Sequence, residues 1–149
     1  AEGAVAVHAG PWLPAGTATV ADAVSAFVAS RAEAGPGPAH LAVHAYLDRE
    51  SDASVAVLRA ELARRTGLTT TFDWAPRGPR ATAEGALVCQ LTGDPDDADP
   101  ELDGLRALQQ RMARTDAGEL ARRGHPVLRL HLADRLAGLV GGVRAVQHL

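Results

Sequence analysis

Short apolar runs of strand length alternate along this chain with longer stretches whose apolar residues recur at helical spacing. That alternation constrains the fold more than any single motif. "HLAVHAYL" (His40 to Leu47) puts Leu41, Val43, Ala45 and Leu47 on one face and His40, Ala42, His44 and Tyr46 on the other, the two-residue period of a strand. "DRESD" turns the chain into a helix from about Ala53 to Arg65, with Val55, Leu58 and Leu62 as its stripe and Gly67 as its stop. "LTTTFDW" (Leu68 to Trp74) is β-branched and predicts a strand, and Ala86 to Leu91 predicts another.

The flanks extend the same pattern. Val5 to His8 is a short apolar piece, followed by a helical stripe of Val20, Val24, Phe27 and Val28, with Thr19 and Asp22 spaced as a cap. Asp99 and Pro100 suit the N-cap and first position of a third helix carrying Leu102, Leu105, Gln109 and Met112 and ending near Gly124. "PVLRLHL" (Pro126 to Leu132) is the last strand, and Asp134 caps a final helix with Leu136, Leu139, Val140 and Val143. Strands separated by helices of a dozen residues imply βαβ units, a mostly parallel sheet and helices on both faces. No linker interrupts the 149 residues, so one domain over 1–149 is expected, long enough to bury a core.

Composition narrows the chemistry. The formal net charge is -3, which predicts no nucleic-acid footprint and no polybasic membrane patch. All 15 basic residues are arginines, so a lysine Schiff base or lysine general base is excluded. The single cysteine, Cys89, forms no internal disulfide and sits in an apolar strand, the setting of an inert thiol in a reducing compartment. No apolar run approaches the roughly 20 residues of a membrane span, and Ala1 to Val7 is too short for a signal-peptide core. A cytoplasmic location is expected.

Few residues stand out as chemistry. His40 and His44 have zinc-chelating spacing for a helix, but on a strand they lie roughly 13 Å apart, too far for one ion. Asp94, Asp96, Asp97 and Asp99 lack the glycine and distal glutamate of a calcium loop and predict a solvated turn. No metal site and no cofactor is expected. Arg129 and His131 share one face of the last strand; they either reach a ligand at its C-terminal end or cross beneath a helix and pair with an acid. Arg77 and Arg80, in the turn "APRGPR", either clamp a phosphate or sit in solvent with Glu84 nearby.

"AYLDRESDASVAVLRAELARRTGLTTTFDWAPRGPR", "LVCQLTGD" and "GELARRGHPVLRLHLADRLAGL" together resemble the C-terminal lobe of bacterial phosphoglucose isomerase (glucose-6-phosphate isomerase), notably the form fused behind transaldolase. The likeness runs through nearly the whole chain. It implies the sugar isomerase (SIS) fold, a flavodoxin-like three-layer α/β sandwich in which two lobes enclose a hexose phosphate and a glutamate base drives aldose–ketose isomerisation. This chain departs from that pattern. The lobe with the phosphate loop and base glutamate is absent, and "ATAEG" stands where the family carries a loop with the ring-opening histidine and a lysine. Arg80 is the only matched residue near the site. Glu84 lies in the right neighbourhood without matching the family's base. The resemblance therefore implies a degenerate, non-catalytic SIS domain. Its expected partner is a second copy or another protein covering the face of the missing lobe. The alternatives are a repurposed enzyme or sugar-phosphate module using Arg77, Arg80, Glu84, Arg129 and His131, or the C-terminal lobe of a longer isomerase.

Overall fold

The computed structural model describes residues 3–33, 40–75, 82–94 and 100–149. Among them are five strands, β1 (Val5–Ala9), β2 (His40–Ala45), β3 (Thr69–Trp74), β4 (Leu87–Gly93) and β5 (Val127–Leu132). Four helices join them: α1 (Val20–Ala29), α2 (Val57–Thr66), α3 (Pro100–Arg122) and α4 (Arg135–Gln147). The strands form one sheet in the order β1-β5-β4-β2-β3, parallel except for β1, which runs antiparallel to β5 with His8 opposite Arg129. The chain is an α/β three-layer sandwich with a mostly parallel sheet.

Local chemistry sets the helix ends. The Thr19 hydroxyl accepts from the Asp22 amide at 3.0 Å, and Asp134 accepts from the Ala137 amide at 2.7 Å, each satisfying an orphan donor of a first turn. Gly67 ends α2 with φ 68°, where a side chain would be strained. The second predicted helix begins as a 3-10 turn over Ala53–Ala56 and becomes α-helical only at Val57. The expected N-cap Asp99 lies outside the described residues.

Three helices pack on one face of the sheet. Phe27 and Val24 of α1, Leu58 and Leu62 of α2, and Leu139 and Val146 of α4 bury against Leu41, Val43, Leu87, Leu91, Leu128 and Leu130. Gly138 lets α4 approach closely: a Cβ there would lie 3.0 Å from the Leu132 side chain and 3.3 Å from the Ala4 carbonyl. Among the described residues α3 is the one helix on the opposite face, centred over β4, where Leu120 meets Val88 and Val127. One helix cannot cover five strands, so polar side chains of β1, β5, β2 and β3 flank it on both sides.

Candidate functional site

Counting only the parallel strands, their spatial order is second, first, third, fourth. The connection leaving β2 crosses one face through α2, and the connection leaving β4 crosses the other through α3. The crevice between the C-terminal ends of β2 and β4 is therefore a topological switch point, where open α/β sheets hold their ligands.

The chain builds this rim from polar groups far apart in sequence. After β2, Asp48 closes a tight turn: its carboxylate accepts from the amides of Glu50 at 2.9 Å and Ser51 at 2.7 Å, and its own amide donates to Asp52 at 2.9 Å. The Ser51 amide bond, with that of Glu50, holds the Asp48 carboxyl below the ordinary carboxylate range. Asp52 is paired with Arg135 at the start of α4, and their side chains are only 2% and 10% exposed. Arg135 also donates through Nε to the Asp94 carbonyl at 3.0 Å. Gly93 makes room for it, since a Cβ there would fall 2.6 Å from that Nε. His131 completes the rim. Its Nε2 lies 3.2 Å from Asp94 Oδ1, and its Nδ1 lies 3.0 Å from the Thr92 hydroxyl.

Beneath α3 a second polar group locks the helix to the sheet. The Tyr46 hydroxyl donates to Asp116 at 2.6 Å, and Gln90 Nε2 donates to the Ala113 carbonyl at 2.9 Å. Burial, then the Asp116 carboxylate, pushes the Tyr46 phenol far up, so it remains a protonated donor. Beside it, desolvation pulls the His44 imidazole below its ordinary value, against the opposing pull of Asp73 and Asp116. On the other face, burial drives the Cys89 thiol up to about 12.

The residues singled out from sequence fall in different places. Arg77 and Arg80 lie outside the described residues. Glu84 is exposed in the turn before β4, at the opposite end of the sheet from the rim. The strand from Leu87 to Thr92 alone puts about 16 Å between those ends. His131 is at the rim, paired with an acid. Arg129 lies two residues back on the same face, near Arg114 and His8 rather than at the rim. Asp94, expected in a solvated turn, is the partner of His131. The pairs Tyr46–Asp116 and Asp52–Arg135 bridge 70 and 83 residues of sequence, and no local pattern announces either.

No family model matches the chain, and no curated protein matches it. Among solved structures it is similar to a hypothetical protein, TT0462, from Thermus thermophilus, with a TM-score of 0.53 and 14% identity over 85% of this chain. The chain spans 39% of the length of that protein. At that identity the likeness is one of fold.

Proposed function

We propose that this chain is a degenerate sugar-isomerase-like domain that is not catalytic by itself and works by pairing. The partner is a second folded unit, in the first instance another copy of itself, seated at the C-terminal edge of the sheet. The observation that carries this is a set of exposed apolar side chains on the helices that start beside the rim. Leu136 is 74% exposed at the start of α4, Val140 is exposed one turn further on, and Val57 is exposed at the start of the adjacent α2. The Asp52–Arg135 ion pair ties the start of α4 to the turn that leads into α2. The tests are light scattering and sedimentation across the micromolar range. The expected mass exceeds that of a monomer, and Leu136→Asp with Val140→Asp returns it to the monomer value. A strict monomer at every concentration, unchanged by these substitutions, overturns the reading.

A second reading is a sugar-phosphate-binding role at the same rim, or service as one lobe of a longer glucose-6-phosphate isomerase. The switch point between β2 and β4, with the Asp94–His131–Thr92 group at its edge, supports it. In this reading Arg80, and with it Arg77, holds the phosphate. The position of Glu84 at the far end argues against a base acting there. Thermal shifts with glucose 6-phosphate and fructose 6-phosphate test it. A shift that disappears in Arg80→Ala favours it, and no shift at millimolar sugar phosphate sinks it.

A further inference from the structure

At the end of the sheet opposite the rim, a cavity of about 490 Å³ lies between the end of β1, the start of β5 and the second half of α3. That volume suits a small organic ligand. The walls are mostly apolar. Trp12 closes one side, and Ala117, Gly118 and Ala121 of α3 form a smooth second wall with almost no side-chain bulk.

The cavity's polar lining is one arginine, two histidines and Ser30. His8 and Arg129 line it from neighbouring strands, opposite one another in register. Arg114 is exposed one turn before Gly118 on α3; it does not line the cavity, but its charge acts on both. Burial, then the Arg114 charge, disfavours the charged form of Arg129. His8 is disfavoured by burial and then by Arg129, His131 and Arg114. Among the described residues no acid pairs with Arg129 or Arg114. Asp94 is engaged with His131, Asp116 with Tyr46, and Glu119 with Arg123. Two arginine charges that act on each other, one of them half-buried, are unfavourable until an anion joins them. Two guanidinium groups and an imidazole match a dianion better than a single carboxylate.

We propose that this trough binds a small phosphate monoester, with the phosphate held by Arg129, Arg114 and His8 and an apolar body lying between Trp12 and the Ala117–Gly118–Ala121 wall. The site is separate from the pairing edge and does not depend on it.

Phenyl phosphate is the probe, with inorganic phosphate, benzoate and phenol as comparison arms, measured by calorimetry on the intact chain. Phenyl phosphate is expected to bind more tightly than any of the three. Arg129→Gln weakens it by about tenfold or more, the loss of one charge-assisted clamp. Gly118→Leu adds bulk to the cavity's α3 wall, where a Cβ meets no atom within 4 Å, and it raises helix propensity, so the protein stays folded while binding is expected to disappear. Circular dichroism checks that both variants are folded. Leu136→Asp with Val140→Asp leaves phenyl phosphate binding unchanged, which separates this test from that of the pairing edge. No binding at millimolar phenyl phosphate overturns the proposal, as does binding that survives Gly118→Leu. Binding of inorganic phosphate as tight as that of the ester removes the apolar half of it.

Discussion

The most consequential single residues are those whose environment sets their ionisation. Desolvation lowers the His44 pKa in the fold below its ordinary 6.5. The unfolded chain therefore binds the proton more readily than the native one. The stability contributed by neutral His44 is complete above pH 6.5 and is lost as the pH falls toward the depressed folded value. His8 acts in the same direction. Urea unfolding at about pH 7.5 and about pH 5 should show lower stability at the acid end, and His44→Gln should shrink the difference. An equal or larger difference in the variant would contradict this account. Cys89 is predicted to be inert: with its thiol pushed up to about 12 and its side chain buried, a thiol reagent should label it only on unfolding. Rapid labelling of the native protein would show that β4 opens.

Among the elements, the joint between α4 and the β2–α2 turn matters most. Arg135 spans Asp52 and the Asp94 carbonyl, and Asp52 also accepts from the Asp48 amide. Arg135→Met leaves Asp52 buried without its counter-charge and should cost about 3–5 kcal/mol. Gly93→Ala intrudes on the same guanidinium and should cost about 1–3 kcal/mol, because Arg135 has nowhere to move without giving up its partners. Chemical denaturation checks both. The two losses should be less than additive, since each acts on one contact. Full additivity would mean that Gly93 serves some other purpose.

For the whole molecule, the imbalance of layers sets what the surface can do. Three helices seal one face with mostly aliphatic side chains, while among the described residues α3 is the one helix on the other and leaves a trough lined by Arg129 and His8 on its β1–β5 side. The exposed Leu136, Val140 and Val57 lie at the opposite edge. If copies associate there, the melting temperature should rise with protein concentration, and Leu136→Asp should abolish that dependence. A concentration-independent midpoint in the wild type would count against association.

The alternation of period-two and helical stripes was enough to place every strand and helix to within a few residues, because each stripe must bury its own face. The caps at Thr19 and Asp134 were legible for the same local reason. The antiparallel direction of β1 was not, since direction depends on which neighbour the strand meets and not on its own residues. The site was less legible still. Sequence brought Arg129 and His131 together as face-mates of one strand, and only the packing of α3 and the turn at Asp94 sent one to the trough and the other to the rim. Glu84 and the rim are close along the chain and lie at opposite ends of β4, because a strand carries its two ends apart as fast as backbone geometry allows. Periodicity determined the elements; the long-range pairs Asp52–Arg135, Tyr46–Asp116 and Asp94–His131 exist only once the sheet order and the packing of α3 and α4 bring distant segments together.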